Sequence, residues 1–218
     1  QYAKLLQDLG DHEETINHCA ELVALVNREI ACRSEFMDIL RTMKGSLKEI
    51  DSHEARQAMV DVLSIMLAHS RLSQPPSSSM TGALVRDLAA ALKAASQPEK
   101  ALPYYLELYT VKKAYKGDQD RGTLTALNNL ATCYKAMERP HDAITLFRKV
   151  LELRLIAYGP SDHEVGLSQN NLAMALYKLP ISAAPIGSDQ PPWEEAASLL
   201  VASLDCLTIA IGSVHPDT

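Results

Sequence analysis

The 218-residue chain sets 21 Lys and Arg against 27 Asp and Glu, a formal charge of −6 with a pI near 5.6. That balance excludes nucleic acid as the main partner, because a phosphate backbone is held by a basic face. Apolar residues make up 47% but aromatics only 5%, and nine glycines leave little turn chemistry for an all-β fold; a core of Ala and Leu favours helices, which those residues enter at little cost in side-chain freedom.

No apolar run reaches the ~18 residues that a membrane helix needs, so membrane insertion is not expected. No signal peptide is visible. The sequence starts at Gln1 inside a helical pattern, which leads us to expect a piece of a longer protein. Cys19, Cys32, Cys133 and Cys206 share no CxxC spacing, and three of them fall on apolar helical faces, where cysteine acts as a small hydrophobe. A reducing, cytoplasmic setting, with or without attachment to the cytoskeleton, is the expectation.

In chain order, residues 1–72 carry two divergent helical hairpins. The first has a Leu9-Gly10-Asp11 turn, then Ile16, Cys19, Leu22 and Leu25 near a spacing of three and four. The second has Phe36, Ile39, Leu40 and Met43 on one stripe, a turn at Asp51-Ser52-His53, and Met59, Val60, Leu63 and Met66 on the next. Residues 73–80 include SQPPSSS, a Pro/Ser-rich linker that sustains neither a helix nor a packed face. It either joins two hairpins or acts as a flexible joint.

From residue 81 the pattern is periodic. Leu88, Leu130 and Leu172 stand 42 residues apart, each followed by Ala, and Asn128-Asn129-Leu130-Ala131 returns as Asn170-Asn171-Leu172-Ala173. A fixed period of 20–50 residues marks stacked supersecondary units. The spacing predicts helices over 84–94, 99–116, 123–137, 141–158 and 166–179, with Pro98 and Pro140 at the turns and Gly117 and Gly159 just past helix ends. Acidic loop residues 118–120 and 162–164 are explained as caps of the helices that follow. An insertion at 180–192, PISAAPIGSDQPP, precedes the last helix; it is either a contact loop or a tolerated one. The fold class is therefore all-α, an α-solenoid of stacked antiparallel helix pairs.

LNNLATCYKAMERPHDAITLFRKVLEL, echoed 42 residues later by QNNLAMALYKL, resembles the tetratricopeptide repeat. More narrowly it is similar to the long repeats of kinesin light chains, which share the Asn-Asn-Leu-Ala of the first helix and a Tyr-Gly or Ile-Gly after the second. The His-Pro-Asp-Thr at 215–218 matches the loop leading into a next unit. The resemblance covers 81–218 and implies a right-handed array whose first helices line a concave surface.

Leu127, Leu130, Ala131 and Tyr134 fall at i, i+3, i+4 and i+7 and should pack inward. The other face of the same helix carries Asn128, Asn129, Thr132 and Lys135; the next unit adds Asn170, Asn171, Met174 and Lys178, and the preceding one Arg86 and Lys93. The resemblance places this face in the groove. Amides offer a donor and an acceptor to a peptide main chain, and the cations favour acidic side chains or a carboxylate. The competing reading is that the amides bond only within and between helices, more so at Asn129 and Asn171, which lie nearer the packing seam.

No catalytic role is expected. The seven histidines are scattered, none in HExxH or a zinc spacing, and there is no GxSxG and no phosphate-binding glycine loop. No metal or other cofactor is implied. The expectation is a non-catalytic scaffold or adaptor for a protein or peptide ligand, a cargo adaptor if the narrower resemblance holds. The alternative is a structural subunit of a larger complex, packed through convex or edge surfaces.

Overall fold

The computed structural model describes residues 16–17, 34–48, 50–73, 79–179 and 191–212, and among these all regular structure is helical. Four expectations lie outside the described residues: the hairpin in 1–33 (beyond 16–17), the centre of the linker at 74–78, the insertion at 180–190, and the loop at 213–218. Eight helices follow in order: α1 (Ser34–Lys48), α2 (His53–Ser73), α3 (Ser79–Ala94), α4 (Pro98–Lys116), α5 (Arg121–Ala136), α6 (Pro140–Tyr158), α7 (His163–Tyr177) and α8 (Pro192–Gly212). They fall into two compact units, Gln1–Tyr104 and Tyr105–Thr218.

In the first unit α1 packs on α2, and α2 on α3. Leu40, Met43, Val62, Leu63 and Leu88 are sealed in its core. The Ser52 hydroxyl accepts from the Ala55 amide at 3.0 Å and starts α2. The Ser70 and Thr81 hydroxyls, both buried, bond to each other at 2.9 Å and tie the end of α2 to the start of α3. That contact explains why α3 begins at Ser79, five residues before the periodic pattern does.

In the second unit α5 packs on α6, α6 on α7, and α7 on α8. Ala131, Ala143, Ile144, Phe147, Leu172, Ala173 and Leu176 form a continuous core. Ala131, Ala143, Ala173 and Ala175 let the helices approach closely, and Phe147 fills the space they leave. Asp120 caps α5 by accepting from the Thr123 amide at 3.1 Å, and Asp162 caps α7 by accepting from the Glu164 amide at 2.8 Å. The aspartate, not Gly166, sets the start of α7, three residues ahead of the expected one. Gly166 is small for another reason: a Cβ there would stand 3.1 Å from Leu207 and 3.2 Å from Cys206 of α8.

Helix ends follow two patterns. Gly117 and Gly159 have φ of 83° and 81°, the glycine-favouring side of the map. For Gly159 ψ is 168°, so it is extended rather than left-handed helical. The tight turns within hairpins use non-glycine residues instead, Ser96 at φ 59° and Glu138 at φ 56°. Both turns close with the same long bond, Gln97 N–H to Leu92 C=O at 2.9 Å and Arg139 N–H to Tyr134 C=O at 3.1 Å, and Pro98 or Pro140 then opens the next helix.

Candidate peptide-binding face

Eight of the ten candidate residues lie on α5 and α7 or at the end of α7, in the second unit. Arg86 and Lys93 lie on α3, in the first. On α5, Leu127, Leu130 and Ala131 are buried as the spacing requires, which leaves Asn128, Asn129, Thr132 and Lys135 half-buried on the other face. On α7, Leu172, Ala173 and Leu176 are buried, Asn170 and Asn171 half-buried, and Met174 exposed. Lys178 is the exposed C-cap residue of α7.

The structure brings Asn128 and Asn171 together. The Asn171 side-chain amide donates to the Asn128 side-chain oxygen at 3.1 Å. Each member of this pair comes from a different one of the two classes distinguished on sequence, groove-facing and seam-facing. Asn170 and Asn129 enter no side-chain bond of this kind; the Asn129 carbonyl accepts from the Thr132 hydroxyl at 2.7 Å. Lys135 extends along the helix until its ammonium is 6.0 Å from the centre of the Phe147 ring, a geometry in which the ring face attracts a cation. α5 contains no acidic residue, and the only one on α7 is Glu164 in its first turn.

Glu164 is already engaged. Its carboxylate meets the buried guanidinium of Arg154 at 2.5 Å, while Arg154 also donates to the Glu164 carbonyl at 2.9 Å and to the Ser168 hydroxyl at 2.7 Å. Burial lowers the Arg154 pKa from its ordinary value, against the pull of Glu164. At the outer edge of this network Arg121 stacks 4.5 Å over the Tyr158 ring and reaches Asp162 at 3.2 Å. These charges cancel where they stand and join α5, α6 and α7 at one end. They are not available to a ligand on the amide face.

In the first unit Arg86 pairs with its neighbour Asp87 at 3.1 Å, and Asp87 also takes a bond from Lys44 at 2.5 Å. Lys44 was not among the expected residues. It stands 42 before Arg86, as Arg86 stands 42 before Asn128 and Asn128 before Asn170. The sequence separation of Lys44 and Asp87 equals that of Asn128 and Asn171, 43 residues in each case. The same rung therefore links the first helices of successive pairs in both units. Tyr177, 42 residues after Lys135, is a second omission; it is 70% exposed beside Met174 and Lys178, and the period alone could have found it.

Comparison with known proteins agrees with this geometry. The tetratricopeptide repeat family model matches residues 80–156. No curated protein matches the chain. Among solved structures, the tetratricopeptide-like repeats of a putative kinesin light chain from Podosopora anserina superpose with a TM-score of 0.67 at 16% identity, over 96% of this chain and 93% of that one. A variant of the same protein gives 0.68 at 16% identity, with the same coverage of both chains. BtubC (BKLC) from P. vanneervenii gives 0.63 at 16% identity, over 99% and 80%. The fold is thus the tetratricopeptide fold of kinesin-light-chain-like repeat proteins, a fold that generally mediates contacts between proteins. Among the described residues, no helix is long and apolar enough to cross a membrane, and no cluster of His, Cys, Asp or Glu could hold a metal ion.

Proposed function

We propose that the chain is a non-catalytic adaptor that holds a peptide of another protein along the amide face of α5 and α7. A cargo adaptor of the kinesin-light-chain kind is the narrower form of this reading. The observation that carries it is the composition of that face. It offers Asn128, Thr132, Asn170 and Asn171 for main-chain contacts, Lys135 and Lys178 for acidic groups, and Met174 and Tyr177 as exposed apolar surface, while the one carboxylate carried within either helix, Glu164, is held by Arg154. A main chain needs donors and acceptors at helical spacing, and an unpaired carboxylate would repel an acidic ligand. Both conditions are met on these two helices.

Asn170 is the cleanest probe, since Asn128 and Asn171 hold each other and their loss would also disturb packing. Labelled acidic peptides in extended form should bind with an affinity read by fluorescence anisotropy. Asn170→Ala should weaken that binding by about tenfold, the ~1–2 kcal/mol of one bond to a peptide group, with the melting temperature unchanged. Lys135→Glu should weaken acidic peptides and spare neutral ones. Binding that ignores both substitutions would place the ligand elsewhere.

A further inference from the structure

The hairpin of α1 and α2 lacks one turn that the later hairpins have. α3 ends at Ala94 and α5 at Ala136, 42 residues apart, whereas α1 ends at Lys48, four residues before that period requires. The alanines near the start of the second helices show the same deficit: Ala101 and Ala143 are 42 apart, Ala55 and Ala101 are 46. The cause is local. Ser52 caps α2 through the Ala55 amide, and the Ile50 amide closes the turn on the Leu47 carbonyl at 3.3 Å. Residues that would have added a last turn to α1, about 6 Å of helix, therefore lie in the connection.

The missing turn leaves a cleft of about 300 Å³ between the end of α1, the start of α2 and the end of α3. Leu47, Ala55, Met59 and Ala91 line it, and Lys48 and Arg56 stand on its wall. Three helices of the first unit bound it, so it is not an uncovered end of the stack. The second unit shows what belongs in such a space. Allowing for the deficit, the four lining residues correspond to Ala131, Ala143, Phe147 and Ala175, all buried in one core. Two rings fill that core: Phe147, fully buried, and Tyr134, packed against it from the last turn of α5. Neither ring has a counterpart in the first unit. Met59 stands for Phe147 and is only half-buried, and Ile50, in register with Tyr134, lies in the connection. The Arg139 guanidinium stacks 4.9 Å from the centre of the Tyr134 ring. The cleft likewise has cations on its wall, Lys48 exposed and Arg56 paired with Asp51.

We propose that the cleft binds an aromatic side chain, Phe or Tyr, of a partner protein, in the place that Tyr134 takes in the second unit. Apolar walls with cations at the rim suit a ring, which is apolar in body and attracts a cation to its face. An aliphatic side chain would match the walls but give nothing to the cations. A bare acidic one would match the cations and leave the walls wet. The volume lies at the lower bound for small-molecule pockets, which favours one side chain over a whole ligand.

The probe is a neutral, end-blocked Gly-Ser-Xaa-Ser-Gly peptide with a fluorinated phenylalanine at its centre. Added protein should shift the fluorine resonance in a saturable way, and the same peptide with unlabelled Phe or Tyr should compete while one with Ala should not. Met59→Phe, which restores the ring of the second unit, should abolish the shift and raise the melting temperature. Ala94→Leu, from an exposed position on the cleft wall, should abolish the shift with circular dichroism unchanged. Lys48→Glu should weaken binding about threefold, the size of an exposed contact between cation and ring. Met59→Phe should leave the binding of acidic peptides to the amide face unchanged, so that either site can fail without the other. A fluorine signal that does not move, or an equal shift with both plugged variants, overturns the proposal. So does tighter binding of free p-cresol than of the Tyr peptide, which would make the occupant a small molecule. So does loss of acidic-peptide binding in Met59→Phe, which would make the cleft part of the amide-face site.

Discussion

The two units place the same rung between successive first helices and make it from different chemistry. In the first it is an ion pair, Lys44 to Asp87, with Arg86 on the same carboxylate; in the second it is a pair of amides, Asn171 to Asn128. Stacking requires only that two polar groups at that register satisfy each other. The choice of groups decides what else the surface can do. An ion pair consumes its charges locally, whereas the bonded amide pair leaves Asn171 one donor hydrogen and two acceptor lone pairs, and Asn128 two donor hydrogens and one lone pair. The units also differ in the polar groups they bury. The first hides a hydroxyl pair, Ser70 and Thr81, which is neutral at any pH of interest, and the second hides a guanidinium, Arg154, and a phenol that titrates, Tyr105.

The largest effect should therefore come from alkali acting on the second unit. Burial pushes the Tyr105 phenol up to about 12, from the usual 10. The folded chain thus keeps a proton that the unfolded chain releases earlier. The contribution is complete below pH 10 and is lost as pH rises from 10 to 12, by about 2–3 kcal/mol at 1.36 kcal/mol per unit. Urea denaturation across that range should show the loss in the wild type and not in Tyr105→Phe. A Tyr105→Phe chain that weakens just as steeply would move the alkaline sensitivity to other groups.

The two rungs themselves should separate on salt. Asn171→Ala leaves the half-buried Asn128 oxygen without its donor and should cost about 1 kcal/mol, at any ionic strength. Lys44→Ala removes a partly exposed charge, 35% accessible, and should cost about 0.5 kcal/mol in dilute buffer and almost nothing in 1 M NaCl. Paired denaturation curves at low and high salt decide it. The same salt response in both variants would mean that the rungs do not differ in kind.

Much of the fold was legible because its determinants are local. The 42-residue period, the aspartate caps at Asp120 and Asp162, and the prolines that open α4 and α6 can each be read within a few residues of chain. The pairing at the candidate face was not. Asn128, Asn129, Asn170 and Asn171 are identical side chains, and which of them meet depends on how far one helix is offset along its neighbour, a quantity fixed by the Ala and Leu packing beneath. Lys44 went unnoticed because residues 34–72 lack the alanine signature of the later units, although they keep the register.

The smallest expected effect concerns the turn that the two units share. Ser96 in the first and Glu138 in the second hold positive φ, 59° and 56°, where an L-residue crowds its own carbonyl at a cost of ~1–2 kcal/mol. Glycine avoids that clash but gives up more backbone freedom on folding, about 0.5–1 kcal/mol, so Ser96→Gly and Glu138→Gly should each gain only about 0.5 kcal/mol, a rise of ~1–2 °C in Tm for a chain of this size. Both sites are exposed, and the bonds that close the two turns join backbone groups, which glycine keeps, so neither substitution should disturb packing. Calorimetry that finds a gain at one turn and a loss at the other would show that the side chain lost at the second does more than tolerate the turn, and the correspondence between the two hairpins would then end at the backbone.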